Sequence, residues 1–167
     1  MITVRLNKKE LSEARQHSNF RLQLSLATNL VNQRRGNKWG EKDIEYLGVR
    51  AEIAVAKLFG FDSIGMGIDD GSDFYFDEVS IDVKATFYKN GRLIFRSRDK
   101  VKADVIVLVN QVSEEVLNIE GWCTKEHYLK KSEVKDLGNG STLVLEPENL
   151  FPIEELWLYL QQQRHSA

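Results

Sequence analysis

The chain has 167 residues, of which 42% are hydrophobic and 29% charged, and its formal net charge is -2. That size fits one domain with a sizeable core, the composition is ordinary for a globular protein, and no apolar run approaches the roughly 18 residues that span a bilayer. A lone cysteine, Cys123, excludes an internal disulfide and a multi-cysteine zinc site; with no signal-peptide pattern at the N-terminus, the expectation is a soluble, cytoplasmic protein without a membrane partner.

In chain order, Leu6 to Thr28 reads as a helical region, with Ser12 and Glu13 near its start and apolar residues at Leu22, Leu24 and Leu26. A basic loop follows, carrying Arg34, Arg35 and Lys38. From Trp39 to Phe59 a long amphipathic helix is predicted, with Ile44, Leu47, Ile53, Val55, Ala56 and Phe59 as apolar positions and Gly60 as a suitable C-cap. Glu52 falls in the middle of this helix, either at the edge of its buried face or aimed at a site; its plainer partners would be Arg50 or Lys57. Gly60 to Ser72 is loop, and Asp69-Asp70-Gly71 is turn chemistry.

Asp73 to Phe76 opens a strand, Asp77-Glu78 turn the chain, and Val79 to Phe87 returns as a second strand. Within it, Ser80 to Thr86 alternates polar and apolar residues. Side chains two apart share a face of a strand, so Asp82 and Lys84 project together beside Ser80 and Thr86, while Ile81, Val83 and Ala85 turn to a core. Asn90-Gly91 is a hairpin signal that would link this strand to a third, Leu93 to Phe95. Asp104 to Val109 is a nearly continuous apolar run, the pattern of a central strand buried on both faces. Val116 to Thr124 makes a fifth strand with Cys123 as a packed thiol, and Lys125 to Lys131 a short helix. Thr142 to Leu145 is a further strand, and Pro152 opens a C-terminal helix through Ile153, Leu156, Trp157 and Leu160. The expected organisation is one α/β (α+β) domain over 1–167: a helical region at 6–59, a sheet core at 73–124, and a strand and helix at 142–163.

Charge is segregated along the chain. Lys89, Arg92, Arg96, Arg98, Lys100 and Lys102 are opposed locally only by Asp99, whereas the stretch from Glu133 onward is rich in acids. Such segregation makes a positive surface on a near-neutral protein, or else a solvated edge guarded against aggregation. His17, His127 and His165 lack metal-ligand spacing. There is no Walker loop, no Rossmann fingerprint and no Gly-x-Ser-x-Gly elbow, so an ATPase, a nicotinamide enzyme and a serine hydrolase have no support.

Gly71-Ser72-Asp73, then eight residues, then Asp82-Val83-Lys84, preceded by a helix bearing Glu52, resembles the metal-dependent nuclease superfamily named for its PD-(D/E)xK motif. Restriction endonucleases, Holliday-junction resolvases and phage or repair nucleases belong to it. The resemblance spans Gly48 to Asn110 and departs from the motif at Ser72, where the superfamily's name has proline. It implies a restriction-endonuclease-like core, a mixed central sheet flanked by helices, and a DNA substrate. It also implies Glu52, Asp73, Asp82 and Lys84 as catalytic residues and a magnesium cofactor, with manganese as an alternative.

Magnesium takes hard oxygen ligands, lowers the pKa of bound water and neutralises charge building on the phosphate. On this resemblance Asp73, Asp82 and the Val83 carbonyl are the metal ligands, and Glu52 binds a second metal or a metal-bound water. Lys84 orients the attacking water and stabilises the pentavalent phosphorus. Arg34, Arg35, Lys38, Arg96, Arg98 and Lys100 become the DNA-phosphate contacts. The apolar C-terminal helix with Trp157, Leu158, Tyr159 and Leu160 would serve a homodimer interface or close the core. Two other readings stay open: a catalytically inactive DNA-binding or scaffold module with the same fold, and an unrelated α/β protein in which the motif is accidental.

Overall fold

A computed structural model of the chain describes residues 1–27, 40–61 and 71–165. Arg34, Arg35 and Lys38 of the predicted basic loop, Trp39 at the start of the predicted second helix, and Asp69 and Asp70 of the glycine-rich turn lie outside the described residues.

Strand β1 (Ile2–Arg5), which was not expected, leads into helix α1 (Lys8–Ala27). Asn7 Oδ1 accepts the Glu10 N–H at 2.9 Å and Glu10 Oε2 accepts the Asn7 N–H at 2.7 Å. This reciprocal capping box starts the helix, rather than Ser12 and Glu13, and releases Leu6 into the core. Leu22, Leu24 and Leu26 are spaced by two and cannot share one helical face; Leu24 and Leu26 are exposed. Helix α2 (Glu41–Phe59) packs along α1 and ends as predicted at Gly60, whose φ of 69° is the left-handed region open to glycine.

Strands β2 (Phe74–Phe76) and β3 (Val79–Thr86) form the predicted antiparallel hairpin about Asp77-Glu78, with Asp77 at φ 51°. Next come β4 (Leu93–Phe95), a 3-10 turn at Arg98–Lys100, β5 (Val105–Gln111) and β6 (Val116–Thr124). Helix α3 (Lys125–Lys131) is capped by Thr124, whose hydroxyl accepts the His127 N–H at 3.1 Å. Then follow β7 (Glu133–Asp136), also unexpected, and β8 (Ser141–Leu145). A 3-10 turn at Ile153–Glu155 leads to α4 (Leu156–His165).

A five-stranded sheet in the order β1-β6-β5-β3-β2 is mixed: β3 and β5 run parallel, from Ile81 opposite Val105 to Thr86 opposite Asn110, and the other pairs are antiparallel. The expected mixed α+β architecture is therefore present. The expected third strand is not in this sheet. After Asn90-Gly91 the chain leaves β3, and β4 pairs with β8 in a second sheet of order β4-β8-β7. Gly91 turns so tightly that a Cβ there would lie 2.0 Å from Thr86 Cγ2. Beyond that turn, Leu93 and Phe95 bury in a separate core, leaving the edge of β3 to β5.

Strand β5 is buried on both faces, as predicted. Val105, Val107 and Val109 point to a core with Leu47 and Val49 of α2 and Leu156 and Leu160 of α4. Ile106 and Leu108 point the other way, to Leu93, Phe95, Leu145 and Tyr128 of α3. The sheet thus carries α2 and α4 on one face and the smaller sheet with α3 on the other. α4 closes the helical core through Leu156 and Leu160 while Trp157 and Leu158 are exposed. No helix among the described residues is long and apolar enough to cross a membrane.

Candidate functional site

The alternation of β3 sets the site. Ile81, Val83 and Ala85 pack in the helix-side core, and Asp82 and Lys84 take the opposite face. Lys84 Nζ lies 2.9 Å from Asp82 Oδ1 and 2.7 Å from Oδ2, so one ammonium bridges both oxygens of the carboxylate. The same nitrogen sits 5.2 Å from the centre of the Phe95 ring, which brings β4 against the site.

Asp73 stands just before β2. Its N–H donates to the Ile81 carbonyl at 2.8 Å, and its Oδ2 accepts the Val83 N–H at 2.6 Å. Since the N–H and C=O of one strand residue point to the same edge, the Val83 carbonyl faces the side on which Asp73 lies. The turn before it is held by Gly71 at φ 89°, packed so closely on Lys102 that a Cβ would lie 3.2 Å from the lysine stem.

Glu52 comes from α2 and is 4% exposed. Its partner is neither Arg50 nor Lys57 but Arg21 of α1. Arg21 Nη1 donates to Glu52 Oε1 at 2.7 Å and Nη2 to Oε2 at 2.6 Å, with Glu45 Oε1 at 3.7 Å. Arg50 instead donates to the Glu114 carbonyl and Gln111 Oε1, both at 2.6 Å, and Lys57 to the Arg5 carbonyl and Glu10. Arg21 and Glu45 are the site members that sequence reasoning missed. Their only signal was charge on two helices separated by a loop, and nothing local pairs Arg21 with Glu52.

The acids feel one another. Burial pushes the Asp73 carboxyl well above the usual aspartate range, and the negative charges of Glu52 and Asp82 push it further against the Val83 N–H and Lys84. The residue as a whole keeps some exposed surface while its carboxyl is enclosed. Glu52 is also raised, by burial first, with Glu45 and Asp82 adding to it and Arg21 opposing. Asp73, Asp82 and Lys84 are therefore gathered on β3 and the turn before β2, and Glu52 of α2 lies within electrostatic reach of them.

Three carboxylates and a backbone carbonyl are the hard oxygen set that a magnesium ion takes, and their mutual repulsion is what a divalent cation would relieve. Among the described residues, however, no three histidine, cysteine, aspartate or glutamate side chains converge on one metal-binding point. Here both Glu52 oxygens are turned onto Arg21 and both Asp82 oxygens onto Lys84.

The basic residues divide. Arg96, Arg98 and Lys100 are exposed on the segment that follows Phe95. Arg98 donates to the Leu129 carbonyl at 3.1 Å, and Arg92 is paired with Glu146 at 2.9 Å. Ser80 is bonded to Asp104 at 2.7 Å, and the Thr86 hydroxyl accepts the Tyr88 N–H at 3.3 Å. An apolar groove lined by Ile2, Leu58, Phe59, Ile153, Glu154 and Trp157 contains none of the predicted site residues. No protein-family model and no curated protein matches the chain.

Proposed function

We propose that this protein is a metal-dependent deoxyribonuclease that hydrolyses phosphodiester bonds, of the PD-(D/E)xK type its sequence resembles. The observation that carries the reading is the Asp82–Lys84 pair on β3, with Asp73 bonded to the backbone of Val83 between them. An acid pair and an ammonium held by a sheet give the metal, the water and the phosphate fixed positions, which is how such a barrier is lowered.

In this reading Asp73, Asp82 and the Val83 carbonyl hold magnesium, and Glu52 holds a second ion or its water. The metal supplies an ionisable water and charge neutralisation at the phosphate. Lys84, turned from Asp82 toward the scissile phosphate, stabilises the charge of the transition state. Arg96, Arg98 and Lys100 lie on the segment that follows Phe95 and would bind flanking DNA phosphates. A homodimer through Trp157 and Leu158 would set two such sites for paired cuts. Phage or repair DNA processing is the setting this chemistry suits.

The test is cleavage of supercoiled plasmid, single-stranded DNA and a four-way junction with magnesium, manganese or EDTA, beside Asp82→Ala and Lys84→Ala. Cutting that needs metal and is lost in both variants is the expected result. DNA binding whose affinity falls with salt, with no cutting by any metal, would instead favour the inactive DNA-binding module. Absence of both would refute the reading.

A further inference from the structure

Arg21 occupies both oxygens of Glu52 at 2.7 and 2.6 Å, a planar fork on a planar carboxylate. Those oxygens carry the lone pairs that a cation ligand would offer. The pair is unequal in position: the Glu52 side chain is 5% exposed and that of Arg21 20% exposed. Arg21 therefore reaches inward from α1 toward an acid that is fixed inside α2, and the arginine is the partner with room to leave.

We infer that Arg21 is an exchangeable counter-ion that holds Glu52 in place of a divalent cation, so that metal loading requires its guanidinium to swing off the carboxylate. The inference rests on the metal-site reading of these acids given above. It adds a residue that sets metal affinity and belongs to none of the ligands. Arg21 is on this view a positioning residue: it keeps Glu52 folded inward and ionised until a metal takes over both tasks.

The test counts bound Mn2+ by the electron paramagnetic resonance signal of the free ion, without DNA. The proteins are the wild type, Arg21→Met, Arg21→Gln and Glu52→Gln, and the double variant Arg21→Met with Glu52→Gln, each checked for folding by near-ultraviolet circular dichroism. Arg21→Met is expected to bind Mn2+ about tenfold tighter than the wild type or more, since a charge-assisted pair no longer competes. The gain should vanish in the Glu52→Gln background. Should Arg21→Met not fold, Arg21→Gln, which can still donate to Glu52, gives the same comparison. Binding no tighter than the wild type in the folded Arg21 variants overturns the inference. So does an equal gain with Glu52→Gln, or no Mn2+ binding by any of the proteins. Tighter Mn2+ binding without DNA cleavage would sustain the role of Arg21 and reject the nuclease function.

Discussion

Breaking the Arg21–Glu52 pair from either side should destabilise the metal-free protein, and removing both members together should not. Glu52 is 4% exposed and receives two charge-assisted hydrogen bonds, at 2.7 and 2.6 Å. Leaving a buried charge without its partner costs about 3–5 kcal/mol. In Arg21→Met that figure is an upper bound, because the stranded carboxyl can take up a proton instead of staying charged. About 2–3 kcal/mol is the expected loss. Glu52→Leu should cost less, about 1–2 kcal/mol, since Arg21 can turn to Glu45, now 3.7 Å away, and to water. The double variant places a methionine against a leucine between α1 and α2 and should lie within about 1 kcal/mol of the wild type. Urea unfolding in EDTA, followed by circular dichroism, gives the three differences and their coupling. Single-variant losses below about 0.5 kcal/mol, the scale of an exposed ion pair, or losses that simply add in the double, would refute the account of this pair as buried and coupled.

The raised Asp73 and Glu52 carboxyls give a signed pH dependence. Between the ordinary carboxylate pKa and the raised folded value the native state binds more protons than the unfolded chain, so their contribution is full at low pH and is lost as pH rises. Asp73→Asn, which can still accept the Val83 N–H, should flatten that fall when urea midpoints are compared across pH in EDTA. Cys123 is fully buried, with its thiol pushed up to about 12 by that burial. It should resist Ellman's reagent in the native protein and react at once in concentrated guanidinium; native labelling at a comparable rate would contradict the packing of β6. Ile106→Ala, which empties a fully buried position on the face of β5 toward the smaller sheet, should cost about 2–5 kcal/mol by urea unfolding.

What the sequence made legible was whatever its local pattern could carry. The apolar run of β5 reported burial on two faces, and the alternation of β3 put Asp82 and Lys84 on one side. Gly60 announced the end of α2. Edge strands were another matter. β7 reads Glu-Val-Lys-Asp, and Val134 is itself 70% exposed, so no buried periodicity exists to be read. β1 is four residues long, below the length at which alternation is informative. Asn90-Gly91 did turn the chain, but a turn signal specifies only where the backbone bends; the partner of β4 was chosen by Leu143 and Leu145, far along the chain. Arg21 escaped for the same reason, since an ion pair between helices leaves no trace in the spacing of either one.

The parallel pairing of β3 with β5 has a consequence for the order of assembly. The chain from Thr86 to Val105 must travel back to the starting end of β3 before β5 can align, and β4 lies on that return path. Its partner β8 reaches Leu93 only through Leu145, so β4 cannot be paired until that stretch has been synthesised. During translation β4 therefore waits without a strand partner after β3 and β5 have been made, and Phe95, the ring beneath Lys84, gains its partner Leu143 only then.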